Sequence, residues 1–132
     1  MSAETAVQAA LYTALTGLGL TVYDVAPQAS DGGSTASWPY VEIGFIGLSE
    51  WDTGSWLGHE FTARIHTRGQ RAAGMAAVKT IQGDIYEALH RVPLTITGQQ
   101  NVVLARQTSF CDRAPDGTFH GVCEYNGLIK AT

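Results

Sequence analysis

Residues 39–89 read PYVEIGFIGLSEWDTGSWLGHEFTARIHTRGQRAAGMAAVKTIQGDIYEAL, and the two periodicities inside them decide the fold. Tyr40 to Ile46 alternates, with Val41, Ile43 and Phe45 on one face and Tyr40, Glu42 and Gly44 on the other. His59 to Thr67 alternates in the same way, with Phe61, Ala63 and Ile65 opposed to Glu60, Thr62, Arg64 and His66. Two such strands in succession predict an antiparallel pair with one core face and one polar face. From Gln70 to His90 the period becomes helical: Met75, Val78, Ile81, Ile85 and Leu89 form one stripe, supported by Ala72, Ala77 and Ala88. Each large side chain of that stripe contributes about 1.5–3 kcal/mol when fully buried, so the helix anchors on the strands. Gly74 and Gly83 each cost about 1 kcal/mol against alanine, which signals close packing or a need for flexibility. Pro93 marks the end of the helix.

Between the two strands, Gly47 to Gly58 is longer and more aromatic than a minimal connection, carrying Trp51, Asp52, Thr53, Gly54, Ser55 and Trp56. Two readings stand side by side. The segment extends the hairpin beyond the core with the two indoles packed on each other, or it projects as an arm that docks on a partner through tryptophan.

Outward from this stretch, Ala3 to Thr16 forms a first helix with Ser2 as N-cap and Val7, Leu11, Ala14, Leu15 and then Leu18 on one face. Gly17 and Gly19 stop it, because glycine takes the left-handed conformation cheaply. Leu20 to Tyr23 is a short strand ended by Pro27, and Gln28 to Ser37, with Asp31-Gly32-Gly33-Ser34 at its centre, is a Ser/Gly-rich surface loop without the Walker A pattern. Leu94 to Ile96 is a short strand or linker. Val102 to Cys111 and Phe119 to Ile129 are strands joined by the turn Ala114-Pro115-Asp116-Gly117. The apolar residues of the last strand are split between its faces, which suits a central strand or one covered by another subunit. The order predicts an α+β fold: a single antiparallel-dominated β-sheet with two α-helices packed on one face, as one domain over residues 1–132.

The bulk numbers exclude several function classes. Hydrophobic residues make up 45% and charged residues 15%, the balance of a folded soluble chain. Eight Lys and Arg against 12 Asp and Glu give a net charge of −4, which offers no general means of neutralising nucleic-acid phosphates. The N-terminus lacks a secretory signal pattern, and no apolar run reaches membrane-span length, so the chain reads as cytosolic when made. Cys111 and Cys123 are too few for a disulfide scaffold. They sit where a hairpin could bring them face to face, but the default is two buried thiols.

Catalytic and metal chemistry finds no constellation. His59 and His66 point to opposite faces of one strand, and His90 and His120 have no neighbouring ligand at metal spacing. Gly-x-Ser-x-Gly is absent. Cys111 and His120 can approach across the last hairpin, without an orienting third group. Glu42, Glu60 and Glu124 line a polar sheet face, where charges at alternate positions more often mean solvation than acid–base work. The reading is therefore non-enzymatic, with no cofactor and no metal. Its alternative is a small α+β enzyme or ligand-binding domain using the polar sheet face around Glu42, Arg64 and His66.

An ordered series of segments spans nearly the whole chain: Val22-Tyr23-Asp24-Val25-Ala26-Pro27-Gln28, Trp38-Pro39-Tyr40-Val41-Glu42-Ile43-Gly44, the Trp51-Asp52 loop, Glu60-Phe61-Thr62-Ala63-Arg64-Ile65-His66, Ile85-Tyr86-Glu87-Ala88-Leu89-His90, and Pro115-Asp116-Gly117 before His120-Gly121-Val122. In order and spacing this series resembles the tail completion, or tail terminator, proteins of long-tailed phages and phage-like gene transfer particles. Ala29 to Ser37 is an insertion relative to the family pattern, which runs almost directly from the Val-Pro-Gln segment to the Pro-Tyr-Val strand. The resemblance implies a structural virion protein of the tail neck, assembled in the host cytoplasm. Its subunits form a ring, usually hexameric, that caps the tail tube, ends its polymerisation and joins the head. The implied partners are further copies of the chain, the tail tube protein and a head-completion (stopper) protein, with DNA passing through the channel without specific binding and no membrane contact. Another head–tail connector ring shares the same fold logic. The candidate assembly contacts are Trp51, Asp52, Trp56, Asp31, Glu42 and Arg64, and within residues 39–89 the Trp-bearing loop is the part assigned to assembly.

Overall fold

Ser2 starts the first helix, α1 (Ala3–Thr16), as its spacing predicts: the Ser2 Oγ accepts the Thr5 N–H at 3.2 Å. The structure, a computed structural model, describes residues 2–24, 38–52, 54–55 and 57–132. Ala6, Val7, Leu11 and Leu15 form the buried stripe of α1. Leu18 does not join it and is 40% exposed, because the helix stops at Gly17 and the chain turns away through Gly19 at φ +80°. The predicted loop Gln28 to Ser37, including Asp31, lies outside the described residues, as does Trp56.

Six strands follow: β1 (Val22–Tyr23), β2 (Tyr40–Glu50), β3 (Gly58–Gly69), β4 (Thr95–Ile96), β5 (Gln99–Arg113) and β6 (Phe119–Ala131). They form one sheet in the order β1-β2-β3-β6-β5-β4, antiparallel throughout except for the β1–β2 pair. The second helix, α2 (Gly74–Leu89), lies over β3, β6 and β5, while α1 packs against β2 and β4. The sheet therefore curls around its helices, with one face covered by both of them. The expected α+β architecture is correct.

Several boundaries differ from the sequence reading, each for a physical reason. The hairpin pairing continues to Glu50↔His59, so the long loop shrinks to Trp51–Leu57. A β-bulge between Ile43 and Ile46 inserts one extra residue in β2, since three steps along β2 match two along β3, from Ile65 to Ala63. That extra residue reverses the alternation. Ile46 and Leu48 pack against the core, and Phe45, expected inside, is 54% exposed on the outer face. Tyr40, expected on the polar face, is buried, with Trp38 at 4.9 Å and Tyr23 at 5.5 Å between ring centroids.

The second helix opens one turn later than its pattern suggests. A 3-10 turn (Arg71–Ala73) precedes it, and Gly74 at φ +76° re-aims the chain between them. Ala72 is exposed as a result, and the buried stripe is Val78, Gln82, Ile85 and Leu89. Met75 and Ile81 flank this stripe half-buried. Gln82 keeps its place by donating from Nε2 to the Phe110 carbonyl at 3.0 Å.

β6 settles the meaning of its split apolar residues. It is a central strand whose Phe119, Cys123, Tyr125 and Ile129 are buried under the helices, with Val122 and Leu128 half-buried on the other face. Cys123 is buried, Cys111 is half-buried, and both are free thiols.

Candidate functional site

The face of the sheet that carries no helix is built from the residues between the buried ones of β3 and β6. Because these strands pair in unbroken register from Gly58↔Lys130 to Gly69↔Phe119, their outward side chains meet as cross-strand neighbours. Thr62 Oγ1 donates to Asn126 Oδ1 at 3.0 Å. One step along, Arg64 Nε donates to Glu124 Oε2 at 3.1 Å, and the same guanidinium stands 5.2 Å from the centroid of the Phe45 ring that the bulge turned outward. Both charges of this pair are partly solvated, at 50% and 31% side-chain exposure, so it contributes at most about 1 kcal/mol.

The next step places two histidines together. His66 Nδ1 lies 2.8 Å from His120 Nε2, with the rings stacked at 5.0 Å and 20°. One ring must donate and the other accept, so the contact requires that one of the two facing nitrogens carry a proton and the other not. Burial lowers the pKa of both imidazoles below the ordinary histidine value, and the Arg68 charge beside them adds to it. Glu42, paired across from His66, works in the opposite sense.

The sequence-predicted residues fall as follows. Glu42 and Arg64 share this outer face, but Arg64 turns to Glu124 on the far side of β3 and the two are not brought together. Trp51 is not a free arm: its indole Nε1 donates to the Ile129 carbonyl at 3.0 Å and its backbone N–H to Gly58 O at 3.0 Å. Asp52 is a turn residue, its Oδ1 accepting the Gly58 N–H at 3.0 Å. Trp56 and Asp31 lie outside the described residues. Cys111 and His120 do not approach as a pair, since Cys111 lies opposite Gly121 while His120 lies opposite Asp112, on the other face.

Two features were not anticipated from the sequence. The histidine pair needs the β3–β6 register, a long-range fact that the spacing of His66 and His120 does not encode. The exposed Phe45 and Phe110, at 54% and 57%, depend on bulges in β2 and β5 that shift the alternation.

Chemically, this surface pairs its polar side chains with one another: Thr62 with Asn126, Arg64 with Glu124 and His66 with His120. Glu42 and Glu124 stand on strands separated by β3, roughly 10 Å apart at the usual strand spacing. Among the described residues, no group of three or more His, Cys, Asp or Glu side chains could hold a metal ion. A depression of about 340 Å³ on the outer face is lined by Glu60, Val103, Ala105, Gln107, Asn126 and Leu128, with Gly127 at its base. A groove of about 390 Å³ between α1, the end of α2 and β4 is walled mainly by alanines and threonines. Neither contains Glu42, Arg64 or His66. No described helix is long and apolar enough to cross a membrane.

The fold is a curled antiparallel sheet with its helices on one face and a mixed polar–aromatic surface on the other. The chain belongs to the tail completion protein gp17 family, whose model matches residues 3–130. It is thus a structural protein of phage-type virion tails. Its fold is similar to that of a chain in the solved structure of the virion of a native gene transfer agent particle. The TM-score is 0.78 at 21% identity, covering 99% of this chain and 100% of that one. A comparison with curated proteins gives no match.

Proposed function

We propose that this chain is the terminator of a phage-type tail: copies of it close into a ring that caps the tail tube, ends its growth and offers the surface on which the head is joined. The observation that carries this reading is the helix-free sheet face, where exposed Phe45 and Phe110 accompany charges that are already compensated by their neighbours. Family membership supplies the setting. A cyclic ring needs heterologous contacts, one side of the subunit meeting the other side of its neighbour. A hexamer is the expected stoichiometry, the tail tube protein and a head-completion protein are the expected partners, and the acidic balance of −4 suits a channel that passes DNA without holding it.

Glu42 and Arg64 are proposed as assembly contacts on the outer face. Asp31 and Trp56 keep that role on sequence grounds. Trp51 and Asp52 are proposed as assembly contacts as well, Trp51 being held to β6 through Ile129 and Asp52 to Gly58 at the start of β3. Adding the purified chain to polymerising tail tube protein should give short, capped tubes in electron micrographs, and tubes of unchanged length would refute the reading. Trp56→Ala should fold normally and fail to cap, whereas Trp51→Ala should lower stability first.

A further inference from the structure

Among the described residues, the sheet has two open edges, and they complement each other. On one side, β1 covers only Val41 and Glu42 of β2, helped by Val41 N–H donating to Thr21 O at 2.8 Å. Among the described residues, no backbone hydrogen bond reaches the outer edge of β2 from Ile43 to Glu50. On the other side, β4 covers Gln99 and Gln100 of β5. Arg91 N–H then takes Leu104 O at 2.7 Å, and Arg106 N–H is taken by His90 Nδ1 at 3.0 Å. Beyond that point, from Gln107 to Arg113, the described residues add two contacts: Gln82 Nε2 donates to the Phe110 carbonyl, which leaves that oxygen a second lone pair, and the Arg113 N–H donates to Asp112 Oδ1 at 2.8 Å, at the end of the strand. Unpaired edges of this length are templates for another strand.

We infer that the free β5 edge, Gln107–Arg113, pairs with the free β2 edge, Ile43–Glu50, of a second copy of this chain, so that the sheet runs on from subunit to subunit. This rests on the ring reading above and specifies its joint. Three independent features fit. Strand direction is the first: β5 runs antiparallel to β2 within the sheet, so a neighbour related by rotation about an axis from which the strands are tilted, as in a barrel, presents β5 antiparallel to β2. Antiparallel pairing of about seven residues, roughly 23 Å, follows at 3.3 Å per residue.

The second feature is the aromatic pair. Phe45 and Phe110 lie on the same helix-free face, one at each open edge, and are 54% and 57% exposed. Matching the buried alternation of both strands sets Leu48 opposite Ser109 and Gly47 opposite Phe110; because the Phe45 ring itself lies over Gly47, the neighbour's Phe110 ring meets the Phe45 ring there. Charge is the third. In that register Asp112 of one copy falls beside Phe45 of the next, on the face where Arg64 stands 5.2 Å from the Phe45 ring. The joint is heterologous and staggered, because β1 and β4 block the two edges at opposite ends of the sheet, and a staggered contact closes into a ring when the strands tilt against the ring axis, as they do in a barrel.

Disulfide trapping tests the joint. In a Cys111→Ser background, Ser49→Cys combined with Thr108→Cys should give a ladder of covalent oligomers on mild oxidation. Ser49→Cys combined with Lys79→Cys, on the exposed side of α2, should give none. The Phe45→Glu and Phe110→Lys variants should each lose assembly at least tenfold in concentration, and the chain carrying both should recover it. Light scattering and electron microscopy of the same samples, alone and with tail tube protein, report rings separately. Rings without a ladder, or without charge-swap recovery, overturn this joint and leave the ring reading intact. A ladder of open or dimeric species without rings supports the joint and overturns the ring. Neither rings nor ladder overturns both.

Discussion

Gly121 sits on β6 directly beneath α2, and its replacement by alanine measures how closely that helix lies on the sheet. A Cβ at this position would overlap the Gln82 amide nitrogen and come 2.7 Å from Val78 Cγ1, on two residues of the buried stripe. Neither neighbour can retreat freely: Val78 is fully buried, and Gln82 is held by its bond to the Phe110 carbonyl. Overpacking of this kind costs about 1–3 kcal/mol, and displacing Gln82 adds about 1 kcal/mol for its hydrogen bond. Gly121→Ala should therefore lose about 2–4 kcal/mol, a large fraction of the roughly 5–15 kcal/mol that stabilises a folded domain. At about 3–4 °C per kcal/mol for a chain of this size, thermal unfolding followed by circular dichroism should shift down by roughly 6–16 °C. Adding Gln82→Ala removes the amide half of the clash, so the double variant should be less destabilised than the sum of the two singles. A Gly121→Ala protein within about 0.5 kcal/mol of the parent would refute the close approach of helix and sheet.

Two other glycines should respond with opposite signs under the same thermal assay. Gly83 is exposed within α2 with nothing within 4 Å of an added Cβ, so Gly83→Ala should stabilise by about 1 kcal/mol, whereas Gly74→Ala, at φ +76°, should destabilise. Asn101, 7% exposed, accepts from Leu94 N–H at 2.7 Å and donates to the Val103 and Leu128 carbonyls at 2.9 and 3.1 Å. Asn101→Ala should cost about 2–4 kcal/mol in urea unfolding, from lost bonds and buried groups left unpaired. The His66–His120 pair predicts a pH slope: both imidazoles are depressed in the folded state, so the unfolded chain binds protons first, and stability present above about pH 6.5 should fall as acid is added, levelling off below the folded-state pKa. Melting curves from pH 8 to 5 check this, and His66→Gln should flatten that segment.

The sequence carried what depends on local periodicity. The bounds of α1 and the alternation of β3 are visible in single segments, because each buries one face on the same core. Phe45 was misplaced because a single inserted residue at the β2 bulge reverses every later side chain, and nothing in Gly44-Phe45-Ile46 marks that insertion beyond a glycine. Trp51 reads as an interface anchor because indole is common at both interfaces and hairpin ends. Its bond to Ile129, 78 residues away, ties it to the sheet as well and has no local signature. The histidine pair escaped for the same reason, being created by a register between β3 and β6 across 54 residues.

What distinguishes the two sheet edges from the outer face is the state of their hydrogen-bonding groups. On the face, polar side chains already have partners: Thr62 with Asn126, Arg64 with Glu124, His66 with His120. A partner docking there must replace satisfied contacts, which favours weak and reversible association. Among the described residues, most backbone groups at the open edges have no protein partner, so an added strand exchanges water for a directional ladder at little loss. The strong and oriented contact belongs at the edge, and the face is left to guide register through Phe45 and Phe110. In the ring proposed above, where copies join one another in one orientation and different proteins lie above and below, that division keeps the two kinds of contact on separate surfaces.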